Sequence, residues 1–251
     1  MGCKGISILI HRVILSEGLP ETESIVLSSE NSHYLLNVLR LERGSELELI
    51  VPGTGIFSAT IIGIDDGRVL VSPGARVEDV QDRESPLKIH VIMPFLKGER
   101  TNWAIQKSVE TGAYHFSVGV MDHSVVRPSG SALQNRIRRL QRIVEAACKQ
   151  SGRSRIPVVD SFRSIDELDY NGTVFVLDPL SADGIEQFVK KFNNNTVSLI
   201  IGPEGGFSGR ERDFFIRKGC LMQSMGPRIL RAETAVVAGV VALQTWLGDM
   251  R

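Results

Sequence analysis

Between residues 46 and 72 the apolar positions fall in short β-branched runs, broken by Gly, Pro and Asp. The runs at 46–51 (ELELIV), 55–64 (GIFSATIIGI) and 68–72 (RVLVS) have the length and residue types of strands. Upstream, residues 32–41 (SHYLLNVLRL) space their apolar side chains as a short amphipathic helix does. Several short strands with one helix predict a small barrel. Residues 76–86 (RVEDVQDRESP) are polar and end in proline, so a linker is expected there. The boundary near Ser85 gives a domain of residues 1–85 and a second of residues 86–251.

After Pro86 the period changes. Residues 87–93 and 116–120 predict strands, with a helix at 99–111 between them. Leu133, Ile137, Leu140, Val144 and Ala147 form a helical stripe along residues 131–150. Strands are expected at 174–177 and 197–201 with a helix between them, then helices at 209–218 and 233–247. Alternating strands and helices predict an α/β domain on a mostly parallel sheet. Ligands of such sheets bind at the carboxyl ends of the strands, and three ends stand out: 176–179 (VLDP), 201–208 (IGPEGGFS) and 224–231 (SMGPRILR).

Composition narrows the classes. With 251 residues, 42% hydrophobic and 23% charged, the chain has material for a real core, and its formal net charge of zero argues against a protein that coats nucleic acid all over. Cys3, Cys148 and Cys220 form no CxxC pair and the five histidines no HExxH, so neither a disulfide framework nor a metal site is expected. Met1-Gly2-Cys3 opens like a myristoylation signal, but Ile6 stands where Ser or Thr is required. The apolar residues 6–10 are too few to span a membrane. A cytoplasmic protein with a short N-terminal extension is the expectation.

Residues 201–208 run from a buried strand into a Gly-rich turn. Glycine permits positive φ and close approach of a ligand to the backbone. Taken alone, a tight strand-to-helix turn and a ligand cradle fit this segment equally. It is neither a GxxxxGK[ST] loop nor a GxGxxG turn, which disfavours P-loop and ordinary dinucleotide folds. Arg228 and Arg231 precede the last helix and have the chemistry to hold a phosphate or a developing anion. A surface ion pair with Glu233, with Thr234 capping the helix, is the plainer alternative. Arg136, Arg139 and Arg142 on the long helix, with Arg153 beyond it, read as a phosphate-binding face or, more simply, a solvated one.

The combination of IGPEGGFS at 201–208 with MGPRILRAETA at 225–235 resembles the RsmE-type 16S rRNA uracil-N3 methyltransferases of the SPOUT superfamily. Lys97-Gly98, Gln106-Lys107, Glu110-Thr111-Gly112 and Gln150-Ser151-Gly152-Arg153 match in the same order, from about His11 onward. The resemblance implies a SPOUT-type α/β domain with a C-terminal trefoil knot, preceded by a small PUA-like β-barrel that helps hold RNA. It implies a homodimer that uses S-adenosylmethionine (SAM) on 16S rRNA or the small ribosomal subunit. Carried over by position, Leu177, Ile201, Gly202, Gly205, Met225, Gly226, Leu230 and Arg231 would hold the cofactor. Arg231 or Arg228 would stabilise the uracil anion, and Glu204 in the turn is read as structural rather than as a base. The sequence departs from the family at Thr111 and Met225, each for a usual Leu, and at Asp122-His123-Ser124 for a common Glu-Arg-Ser. The last change removes an arginine that the resemblance would bring near RNA. A non-catalytic RNA-binding protein and an enzyme acting on a small nucleotide are the alternatives from other classes.

Overall fold

A computed structural model describes residues 10–15, 18–20, 22–77, 83–168, 170, 172–184, 192 and 194–250. The chain divides into two compact units. The first takes Met1–Glu84 with Cys148–Ile156, and the second takes Ser85–Ala147 with Pro157–Arg251.

In the first unit β1 (Arg12–Ile14), β2 (Ile25–Val26), β3 (Glu46–Val51), β4 (Gly55–Asp65) and β5 (Arg68–Arg76) form one sheet in the order β1-β3-β4-β5-β2. Strands β3, β4 and β5 make an antiparallel meander, β2 adds antiparallel to β5, and β1 runs parallel to β3. The strands β1 and β2, three and two residues long, are too short for any alternation to announce them. Val13, Leu27, Leu35, Leu49, Ile61 and Val71 fill the core. The helix expected at 32–41 starts earlier, as α1 (Ser29–His33), because Ser28 Oγ accepts the Asn31 N–H at 3.2 Å. It continues as a π turn over Tyr34–Val38. The segment Cys148–Ile156 is held to this unit by Arg12, which meets Glu48 Oε2 at 2.7 Å and donates to the Lys149 carbonyl at 3.0 Å.

In the second unit β6 (Lys88–Pro94), β7 (Ala113–Gly119), β8 (Val158–Phe162), β9 (Thr173–Leu177), β10 (Thr196–Ile201) and β11 (Leu221–Gln223) form a six-stranded sheet, ordered β11-β9-β10-β6-β7-β8. Every pairing is parallel. The edge strands β8 and β11 went unread, β8 because its VVDSF mixes polar and apolar and β11 because it is three residues long. The helices are α2 (Arg100–Glu110), α3 (Gly130–Ser151), α4 (Gly209–Arg217) and α5 (Ala232–Leu247). The helix expected between β9 and β10 falls largely outside the described residues.

The strand order explains where a ligand belongs. The chain lays β6, β7 and β8 outward in one direction, returns to start β9 on the other side, and slips β10 between β9 and β6. That reversal is a topological switch point, where loops leaving the strand ends diverge and open a crevice. The sheet is covered on both faces, as parallel sheets require. On one face α5 lies close: a methyl at Gly239 would sit 3.0 Å from Leu177 and from Leu199, so glycine sets the helix-to-sheet distance. On the other, Ile92, Val176 and Ile200 pack with Phe207 and with Phe215 of α4.

Candidate functional site

Three loops leave neighbouring strand ends. The first follows Leu177 at the end of β9. Asp178 is 2% exposed, yet its carboxylate is fully engaged: Oδ2 takes Arg212 Nε of α4 at 2.6 Å and Oδ1 takes the Leu180 N–H at 3.1 Å. A buried carboxylate is tolerable only with such partners, so Asp178 serves to pin the loop to α4. Its own N–H reaches the Gln223 carbonyl at 3.0 Å, which ties this loop to the end of β11.

The second loop is the Gly-rich turn after β10. The Gly206 N–H closes on the Pro203 carbonyl at 2.8 Å, with Gly206 at φ +72°. Ser208 then caps α4 in a capping box with Glu211, whose side chain returns to the Ser208 N–H at 2.8 Å. The other Glu211 oxygen takes the Asp122 N–H at 3.0 Å. Glu204 is also engaged, by the Lys97 N–H at 3.3 Å and by Arg100 at 3.8 Å. His123 lies on this turn. Its Nδ1 is 3.1 Å from the Gly206 carbonyl and 3.3 Å from that of Gly205, so Nδ1 carries the proton and donates. Thus the residue that replaces the family's arginine braces the turn's backbone. A hydrogen bond from Arg210, then one from Ser208, holds the neighbouring Asp122 carboxyl below the usual carboxylate range.

The third loop runs from β11 to α5. Arg231 is the N-cap residue of α5 and makes no side-chain cap; Thr234 does not cap either. Glu233 pairs with neither Arg228 nor Arg231 but lies 3.6 Å from Arg100. The reason is geometric: Glu233 is in the first turn of α5 and turned inward, whereas both arginines are exposed. Among the described residues neither arginine side chain has a hydrogen-bond or ion-pair partner, which leaves two guanidinium groups available beside the strand ends.

Leu177, Gln223, Met225, Gly226, Arg228 and Leu230 line one narrow cleft of about 40 Å³. The structure therefore brings together four residues expected to hold a cofactor, with Arg228 beside them. Ile201 sits next to Leu177 in the sheet register, while Gly202, Gly205 and Arg231 lie on the adjoining loops outside the cleft lining. Gln223, Asp178, Arg212 and His123 were not singled out as site residues. Asp178 stood in the recognised strand end, but the pairing with Arg212 is 34 residues distant and leaves no local signal.

The basic residues separate. Arg136, Arg139 and Arg142 are exposed on α3. Arg139 is paired with Glu99 at 2.8 Å, and Arg136 lies 6.0 Å from the Phe95 ring. Arg153 does not belong with them: it is 4% exposed and its guanidinium meets Glu84 at 2.8 Å. A buried, paired guanidinium holds the first unit together and cannot face a phosphate, so Arg153, contrary to the expectation from sequence, is no RNA-facing residue. Among the described residues no group of three or more His, Cys, Asp and Glu is arranged to hold a metal ion, and no helix is long and apolar enough to cross a membrane.

Comparison with known proteins supplies the context. Residues 83–244 match the RNA methyltransferase domain family, and residues 27–73 match the RNA methyltransferase PUA domain. Ribosomal RNA small subunit methyltransferase E of Buchnera aphidicola (Schizaphis graminum) is 31% identical over 245 residues, covering 96% of this chain and 98% of its own. A putative methyltransferase of Legionella pneumophila, solved with bound cofactor SAM, superposes with a TM-score of 0.87 at 30% identity, over 96% of this chain and 99% of its own. Ribosomal RNA small subunit methyltransferase E of Neisseria gonorrhoeae, solved with S-adenosyl methionine, gives 0.85 at 28% identity, over 97% and 100%. With its three strand-end loops and a likeness that runs through both units, the chain belongs to the RNA methyltransferase family whose members include ribosomal RNA small subunit methyltransferase E.

Proposed function

We propose that the chain is a SAM-dependent methyltransferase that methylates N3 of a specific uridine in 16S rRNA of the small ribosomal subunit. The observation that carries this reading is the convergence of the β9 and β11 ends on one cleft, with the β10 turn on the adjoining strand end, beside two arginines that have no partner among the described residues. Full-length likeness to proteins of that name supports it.

The residues present fit the cofactor. Apolar Leu177, Met225 and Leu230 suit a flat heterocycle, and the cleft wall carries one buried acceptor that no protein group satisfies, Gln223 Oε1. Ile201, Gly202 and Gly205 contribute backbone along the adjoining loop. When bound, SAM supplies an activated methyl group. The protein must then hold the uracil in line with that methyl group, which is mostly a matter of positioning. It must also stabilise N3 as its proton passes to solvent water. Arg228 and Arg231 supply the positive charge, since neither is paired with a carboxylate among the described residues. Glu204 is occupied by Lys97 and Arg100 and acts in holding the turn.

The target base leaves its stack to reach the cleft, while Arg136, Arg139 and Arg142 make phosphate contacts that set register. The PUA-like unit adds RNA contacts of its own. Two finer features belong to the same proposal: a trefoil knot in the C-terminal part, supported by the insertion of β10 between β9 and β6, and a homodimer, supported by the exposed Trp246 and Ile229. The setting is the cytoplasm, where ribosomes are modified.

The test is transfer of a labelled methyl group from SAM to small subunits from a strain lacking the gene, followed by nucleoside analysis. N3-methyluridine in 16S rRNA is expected. Cofactor binding without any transfer would favour an RNA-binding role, and activity that survives removal of residues 1–85 would favour a small-nucleotide substrate.

A further inference from the structure

Gln223 is the last residue of β11 and is 2% exposed. In the parallel register it pairs with Leu177. Paired residues of neighbouring strands project to the same side of a sheet, so Gln223 shares the face on which Leu177 meets α5 near Gly239. There it forms part of the cleft wall among Leu177, Met225, Leu230 and Ala235. Its backbone is committed, the carbonyl accepting the Asp178 N–H at 3.0 Å. Its side chain is not: Oε1 is buried and has no hydrogen-bond partner.

An unsatisfied buried acceptor gives up its water without return, and an apolar side chain of the same shape would avoid that cost. A trapped water is a poor remedy, since water needs two to four polar partners, and of the cleft's other polar side chains Asp178 is matched by Arg212 while Arg228 is exposed. A donor brought by a ligand remains. A cationic ammonium group would seek a carboxylate, but the one carboxylate on the cleft, Asp178, is already matched by Arg212 at 2.6 Å. A neutral N–H donor on a flat, otherwise apolar ring satisfies both the oxygen and the Leu177, Met225 and Leu230 surfaces around it.

We propose that Gln223 is a specificity-determining residue that recognises the 6-amino group of the cofactor's adenine through its Oε1. This inference rests on the SAM reading above and deepens it. It makes Gln223 a reader of the purine, distinct from the backbone groups of the loops, and it explains a carboxamide at the end of a short edge strand where an apolar residue would fold more comfortably.

The experiment is calorimetric titration of the full chain with S-adenosylhomocysteine and with its purine-riboside analogue, which carries hydrogen in place of the 6-amino, so that a turned carboxamide finds no oxygen to meet. The native protein is expected to prefer the adenine form by roughly 10- to 100-fold, the range for a buried polar group left without its partner. Gln223→Met, close in shape, is expected to bring the preference below about threefold. It should also melt at the same or a higher temperature without ligand, because the orphaned acceptor is gone. Gln223→Leu serves as a second apolar variant if the first does not fold. Equal binding of the two ligands by the native protein, or a preference that persists undiminished in the folded apolar variant, overturns the inference while leaving the cofactor assignment standing. Failure of the native protein to bind S-adenosylhomocysteine at all overturns both.

Discussion

Two of the hollows in the second unit have opposite character. One, about 560 Å³, lies over the half of the sheet away from the strand ends, against His90, His115, Ser117 and Asp160. The other is the cleft of about 40 Å³ at the ends of β9 and β11. By size and by titratable side chains the first is the more conspicuous. Its chemistry is nevertheless closed. Ser117 Oγ donates to Asp160 Oδ1 at 2.5 Å, so His90 Nε2, 2.8 Å away, must donate to Ser117. The second Asp160 oxygen takes His115 Nε2 at 2.7 Å. A nucleophilic serine needs the histidine between itself and the carboxylate; here the serine sits in the middle and hands its proton's hydrogen bond to the acid. Every member is satisfied by another member. At the strand ends the opposite holds: among the described residues two arginines and one carboxamide oxygen lack partners. What distinguishes the proposed site is unspent bonding capacity at the strand ends, not volume.

The largest effect that would break or sharpen this contrast is catalytic. Arg231→Ala and Arg228→Ala are each expected to slow methyl transfer roughly 100- to 1,000-fold, while Asp160→Asn and Ser117→Ala leave it within about twofold. Single-turnover transfer to small subunits measures both sets, and two arginine variants at full rate would remove the proposed charge stabilisation.

Next is a stability effect at the other hollow. Burial, reinforced by His115 and opposed by Asp160, pushes the His90 pKa down from 6.5 to about 4. The unfolded chain then binds the proton more readily than the folded one. Stability falls as pH drops from about 6.5 towards 4, by about 3 kcal/mol at most, and is regained above that window. His90→Asn should flatten this slope in urea unfolding measured across the range. Methyl transfer measured at neutral pH should keep its rate.

A smaller effect is expected on the Gly-rich turn. A methyl at Gly205 would lie 3.0 Å from His123 Cβ, so Gly205→Ala should displace the turn slightly and weaken S-adenosylhomocysteine binding about 3- to 10-fold by calorimetry. Smallest is Arg142→Ala, which should lower the slope of RNA affinity against salt by about one and leave cofactor binding unchanged.

Much of this architecture was legible because the relevant signals are local. The meander of β3, β4 and β5 shows in β-branched runs between turn residues, and the stripe from Leu133 to Ala147 marks α3. The loop after β10 follows from a strand that runs straight into glycine. Short strands such as β1, β2 and β11 leave too few positions for a pattern, and the differences at the site are non-local. Arg153 looked like one more base of an exposed run, but its burial is decided by Glu84, 69 residues away. Gln223 carries no motif; its meaning arises only when β11 pairs with β9 and sets the carboxamide beside Leu177. His123 was visible as a departure from the family, but its contact with the backbone of the Gly-rich turn depends on the fold.

A crystal structure with S-adenosylhomocysteine tests the central claim most directly. The ligand is expected at the ends of β9, β10 and β11, its purine against Leu177, Met225 and Leu230, with Arg228 and Arg231 within reach of its sulfur end. Ligand density over His90, Ser117 and Asp160, with the strand ends unchanged, would contradict the account.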